Sequence, residues 1–167
     1  MPYEAYISVK GTKQGQFKGE GIGRLNRGPW SPVLSFYMDV DSPRDAATGH
    51  ASGKRQWKPV LIVKEWSAAS PQALTALATN EVLTEVAIEF YRSNPQGTQV
   101  VYQRVKLTNA SFVQVERFTG QQDGTLLMKP GPSETMELER WAFTFERIEV
   151  EDTDGKSTFI DDWGIGA

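Results

Sequence analysis

Gly49-His50-Ala51-Ser52-Gly53 sets a histidine and a serine between glycines, the residue types of a hydrolase site. The nucleophile elbow G-x-S-x-G would need serine where Ala51 stands, and it belongs between a strand and a helix. His50 is the single histidine of the chain and there is no cysteine, so multi-histidine metal sites, thiolate zinc sites, iron–sulfur clusters, disulfides and a cysteine nucleophile are all excluded. Gly19-Glu20-Gly21-Ile22-Gly23-Arg24 suggests a phosphate loop until its spacing is checked: G-x-G-x-x-G needs glycine at Arg24, and no G-K-S/T follows. Glu151-Asp152-Thr153-Asp154-Gly155 lacks the later ligands of a calcium loop and reads as a hairpin turn. Glu137 and Glu139 share one face of a strand, where acid–base work would require a dry cleft, and a solvated or interfacial face is the simpler expectation. Asn109-Ala110-Ser111 matches a glycosylation sequon that has meaning only on a secretory route. No catalytic constellation emerges, and no cofactor is expected.

The elements that carry these residues are mainly strands. Val86, Ile88 and Phe90 alternate with Glu85, Ala87, Glu89 and Tyr91; after the turn at 93–97, Val101, Val105 and Leu107 alternate with Tyr102, Arg104 and Lys106, which predicts a hairpin. Trp141, Phe143 and Phe145 mark the core face of a long strand over 134–149. Further strands are expected at 3–10, 33–38, 58–66, 110–118 and 157–162. One short helix is predicted, with Ser70 as its cap, Pro71 in its first turn, and Leu74, Leu77 and Ala78 on one face, packing across an open end of the sheet structure. Two loops stand apart: 39–56, which has both charge signs and no periodicity, and 119–133, rich in glycine and proline.

The chain has 167 residues, enough for one domain with a full core, and 18 basic against 21 acidic side chains give a net charge of −3. That mild acidity argues against nucleic acid as a partner. No run approaches the length of a membrane-spanning helix, and no signal peptide is apparent, so membrane insertion and general secretion are not expected. The fold class expected is mainly β: an antiparallel β-barrel over 1–167, with one short flanking α-helix and a long extended loop.

In order, the segments Ala5 to Gly11, Trp30 with Val33 to Phe36, Gly53 to Pro59, and Phe90 to Pro95 resemble the Hcp family, the haemolysin-coregulated tube proteins of bacterial type VI secretion systems. Val63-Lys64-Glu65, Ser70-Pro71, Lys106-Leu107, Phe143 to Ile148 and Asp161-Asp162-Trp163 extend the resemblance along nearly the whole chain. It departs at Trp57, where family members commonly read R-Q-H-K-P, at Pro32, and over 119–132.

The resemblance implies a structural, non-enzymatic protein that forms hexameric rings stacking into a tube inside a contractile sheath. A VgrG-type spike caps the tube, effectors travel in its lumen, and the protein is assembled in the bacterial cytoplasm before the machine secretes it. The charged loop is the expected ring-stacking element, with Arg44, Asp45, Lys54, Arg55 and Trp57 as its contacts. Tyr91, Tyr102 and Arg104 are the expected ring-side contacts. A tail-tube protein of a phage or other contractile particle is the nearest alternative. A small-ligand-binding β-barrel is the alternative of a different class, although Trp141, Phe143 and Phe145 look sufficient to fill a small barrel.

Overall fold

The computed structural model describes residues 4–19, 28–120 and 136–163. The glycine cluster at 20–24 and nearly all of the loop at 119–133 therefore lie outside the described residues.

The expected antiparallel β architecture is present. Strand β1 (Glu4–Gly11) is followed by the short strands β2 (Gly15–Gln16), β3 (Ser31–Val33), β4 (Ser35–Tyr37), β5 (Val40–Asp41) and β6 (Gln56–Trp57), then by β7 (Val60–Glu65). After helix α1 (Ala69–Ala78) come β8 (Leu83–Ser93), β9 (Gln99–Gly120), β10 (Met136–Thr144), β11 (Arg147–Asp152) and β12 (Ser157–Asp162).

β1 pairs with β8, β8 with the first half of β9, the second half of β9 with β10, β10 with β7, and β7 with β4. The chain 31–37 changes partner at Leu34: its second half bonds β7, and its first half bonds β1, Ala5 lying opposite Val33 and Ile7 opposite Ser31. That switch closes the circuit into a barrel. Pro32 sits opposite Tyr6 in β3, a short strand with only three ladder positions, where a missing N–H is tolerated.

β9 joins two stretches that alternation alone separates, Val101 to Leu107 and 110–118. At Val113 the pairing slips, Ala142 lying opposite Gln114 while Phe143 lies opposite Phe112, so Val113 bulges outward and is half exposed. The expected strand 134–149 is likewise broken at Phe145 and Glu146 into β10 and β11, and β11 continues along the first half of β9 with β12 on its outer edge.

Inward-facing side chains fill the barrel. Ile7, Val60, Ile62, Val86, Ile88, Leu107, Phe143 and Trp141 are all at most 2 % exposed, and Phe112 packs on Trp141 and Phe143 at 5.5 and 4.7 Å between ring centres. Among the described residues the interior is occupied by these side chains, which does not favour a ligand-binding barrel.

Helix α1 differs from its sequence reading. It begins at Ala69 without a side-chain cap, so Ser70 lies inside its first turn. The Ser70 hydroxyl instead accepts the Ser67 amide and donates to Glu139 Oε1 at 2.8 Å. Small residues, Ala69, Ala73 and Ala76, form the buried face, while Leu74 is 40 % exposed and Ala78 faces solvent. Alanines let the helix approach the barrel more closely than leucines would, and that packing requirement overrides the predicted stripe.

Glu139 overturns another expectation. Far from facing water or an interface, it is fully buried opposite Lys64, which is fully buried too, with Oε1 of the carboxylate 3.7 Å from the ammonium. Lys64 Nζ also donates to the Glu65 carbonyl and the Ser67 hydroxyl, and Arg117 approaches Glu139 Oε2 at 3.4 Å from the barrel rim. Glu137, two residues earlier, is exposed.

Candidate functional site

The loop 39–56 has more structure than its sequence suggests. Val40 pairs with Trp57 and Asp41 with Gln56; an isolated bridge joins Arg44 to Ala51. Main-chain bonds from Ser52 to Pro43, from Asp45 to His50 and from Gly49 to Asp45 complete a two-stranded hairpin. At its tip the Asp45 carboxylate accepts the amides of Ala47 and Thr48 at 2.8 and 2.9 Å. Those amides, Thr48's foremost, hold the Asp45 carboxyl below the usual carboxylate range. Gly49 adopts φ +75°, which a side chain would oppose. All residues from 44 to 54 are exposed.

A hairpin this exposed must be aimed from its base. Arg55 forks onto Asp161 of β12, Nε donating to Oδ2 at 2.5 Å and Nη2 to Oδ1 at 2.6 Å, and Nη2 also reaches the Asp162 carbonyl. Trp57 donates its indole N–H to the same Asp161 Oδ2 at 2.9 Å and packs its ring on Phe145 and Phe159. On the other side of the base, Lys58 bridges Asp39 and Asp41 at 3.0 and 3.5 Å. The hairpin is thus pinned to β12 through Asp161, and Lys58 ties its two arms together at the base.

The five residues expected in the stacking loop therefore separate. Arg44, Asp45 and Lys54 lie on the accessible part of the hairpin. Trp57 is 5 % exposed and belongs to the base, while Arg55 is engaged by Asp161 with 38 % of its side chain still accessible. Of the three expected ring-side residues, Tyr91 is 2 % exposed, lying edge-on to Tyr6 with its hydroxyl donating to Glu89. It keeps the outer face of β8, on the same side as Glu89, and the Tyr6 ring helps cover it there. Tyr102 lies under the Arg92 guanidinium at 4.8 Å, and Arg104 is exposed between Glu89 and Glu151, so these two remain on the outer surface.

His50 and Ser52 do not form a catalytic pair. Both are exposed, and the bonds that fix them are the main-chain bonds of the hairpin. Asp152 and Asp154 belong to the turn between β11 and β12, where Asp152 accepts the Gly155 amide at 2.7 Å and Asp154 pairs with Arg92, so the reading of that segment as a hairpin turn stands.

The hydrogen bonds from Arg55, with a smaller contribution from the Trp57 N–H, hold the Asp161 carboxyl below the usual carboxylate range against the opposing effect of burial. A carboxyl depressed by folding contributes stability above its unfolded pKa and loses it as pH falls through the folded value. The melting temperature of the parent should therefore exceed that of Asp161→Asn most at neutral pH. The gap should close in acid, below about pH 4, when thermal melts are run as a pH series. An equal gap at every pH would show that the carboxylate's charge is not what holds β12 to the hairpin.

The family described as Type VI secretion system effector, Hcp, matches residues 6–151. The chain belongs to the Hcp family. A relative named Major exported protein, from Pseudomonas aeruginosa, is 35 % identical over 175 aligned positions, covering 98 % of this chain and 96 % of the relative. Among solved structures, a crystal structure of an Hcp protein superposes with a TM-score of 0.83 at 21 % identity, covering 96 % of this chain and 99 % of the other, a likeness of fold. The secreted Hcp3 protein of Pseudomonas aeruginosa superposes at 0.76 with 27 % identity over 97 % and 99 % of the two chains. Hcp proteins are exported components of type VI secretion rather than a family of enzymes.

Proposed function

We propose that this protein is the inner-tube subunit of a type VI secretion system: six copies close into a ring, rings stack head-to-tail, and the tube is expelled on contraction of its sheath. Its partners on this reading are further copies of itself, the sheath, a VgrG-type spike and effectors carried in the lumen. Assembly takes place in the bacterial cytoplasm, and the machine itself exports the product. Membership of the Hcp family favours this machine over a phage tail.

The observation that supports the reading most is the hairpin from Val40 to Trp57. Its part from 44 to 54 is wholly exposed and carries Arg44, Asp45 and Lys54, while its base is pinned by a bidentate ion pair and a buried tryptophan. A long ordered projection with no catalytic group is suited to reach a neighbouring ring. Charges of both signs suit a contact that must form quickly and come apart after use.

Charge reversal at two of these positions, Arg44→Glu with Lys54→Glu, should leave ring size by light scattering and the melting curve unchanged while reducing tube growth at least about tenfold, as rim charges govern association. Tubes that grow from the variant as readily as from the parent would remove the hairpin as the stacking element. A parent that scatters as a monomer at every concentration would remove the ring reading altogether.

A further inference from the structure

Strand β10 separates two surfaces of opposite orientation. On its inner side Glu139 bonds Ser70 of α1; on its outer side Leu138, Arg140 and Ala142 point the other way. On the outer side of β7, β10 and β9, Val63, Leu138 and Phe118 form an apolar cluster with Leu34, and beside it Ser35, Phe36, Tyr37, Leu61, Val63 and Arg140 line a groove of about 360 Å³. Tyr37 is 49 % exposed in that groove, and an ion pair beside it joins Arg140 to Glu116 at 2.6 Å. By contrast, the outer side of β8, β9 and β11 is laced with charges such as Glu85, Lys106, Arg104, Arg147 and Glu149.

Helix α1 presents the matching oddity. Its ten residues include no charged side chain, yet Leu74 is 40 % exposed, and Val82 just beyond its end is 42 % exposed. A helix face turned to water ordinarily carries charges; one without them is suited to being covered. The flanks are complementary in charge. Exposed Lys13 and Lys18 border the helix, where Gln72 accepts the Lys18 amide at 2.8 Å. The groove is bordered by Asp39, Asp41 and Glu65 against Lys58, with Arg140 already balanced by Glu116.

We infer that the uncharged face of α1, led by Leu74, docks into the Tyr37–Leu61 groove of a second copy of this chain. Because the two surfaces lie on opposite sides of β10, the contact is heterologous: each copy offers its helix to one neighbour and its groove to the other. A heterologous contact closes into a ring when its rotation allows and otherwise propagates as a fibre. This rests on the ring reading and assigns that ring's lateral seam to residues other than Tyr102 and Arg104.

The absence of cysteine makes the test direct. Leu74→Cys and Tyr37→Cys are introduced together and singly, oxidised, and run on a non-reducing gel beside light scattering of the same samples. The double variant should give a ladder of covalent species ending at the ring, while each single variant stays one subunit in mass. A double variant that forms rings without any ladder overturns this seam and leaves the ring reading standing; dimers from Leu74→Cys alone overturn it too, because they mean helix meets helix. Monomers throughout for the parent overturn both. Leu74→Arg, at a partly exposed position, should keep the parental melting curve and weaken ring assembly at least about tenfold, as a contact at the centre of an interface does; unchanged assembly also counts against the seam.

Discussion

Glu139→Leu, with Lys64 left in place, should melt about 10 °C below the parent, because stranding one partner of a buried ion pair costs about 3–5 kcal/mol and each kcal/mol moves the midpoint of a chain this size by about 2–4 °C. The geometry behind this expectation is unusually enclosed. Lys64 and Glu139 are both fully buried and face each other across β7 and β10; Lys64 Nζ spends its other bonds on Ser67 and the Glu65 carbonyl and lies 5.1 Å from the Trp141 ring centre. Removing the carboxylate leaves an ammonium with no opposing charge inside a protein wall, and removes the acceptor that holds Ser70 of α1. Lys64→Met should cost a similar amount for the mirror-image reason. The double variant Lys64→Met/Glu139→Leu should recover most of the loss, since an apolar pair of similar volume is often as stable as a buried ion pair. Single variants that melt with the parent would show that neither charge is in fact desolvated.

Trp57→Ala should be the most damaging change at the hairpin, at about 3–5 kcal/mol for a large aromatic removed from a core. Two functions are lost together: packing against Phe145 and Phe159, and the N–H bond to Asp161 that supports the Arg55 fork. Trp57→Phe separates them. It keeps most of the packing and loses only the bond, worth about 1.5–3 kcal/mol where the acceptor is charged. Amide hydrogen exchange at Asp45, Gly49 and Ser52, whose N–H groups close the hairpin, reads the consequence locally. If exchange there is as slow in Trp57→Ala as in the parent, the hairpin does not depend on its buried base.

Period-two alternation was enough to place the strands around Val86, Val105 and Trp141 and to say which side of each faces the core, because burial on one face imposes that period on the sequence. The barrel followed from the number of such strands. What alternation misses is whatever depends on a distant partner. Trp57 and Arg55 look like loop residues until Asp161, more than a hundred positions away, supplies the acceptor that draws both inward. Alternation puts Glu139 on the same side as Trp141 and Phe143, yet a carboxylate was not expected there, because the cation that allows its burial is on β7. Tyr91 does lie on the outer face, but the ring of Tyr6, more than eighty positions away, covers it. The hairpin itself escaped notice because its order comes from turn chemistry at Asp45 and from main-chain bonds, neither of which leaves a hydrophobic period. Ser70-Pro71 is a good opening signal for a helix, but the wanted partner of that hydroxyl was Glu139, so the helix starts earlier.

The seven residues from Ser31 to Tyr37 close the barrel by changing partner at Leu34, and this fixes an order of events during synthesis. β1 has its main neighbour in β8, some eighty residues on, and β7 has its own in β10, later still. Long-range pairing of this kind is slow and unrewarded until both strands exist. While the ribosome is still making the first half, no stave of the wall has both neighbours, and the segment 31–37 has only one short strand to join on each side. The wall closes only when nearly the whole chain has emerged, and a product truncated before β10 has no closed wall.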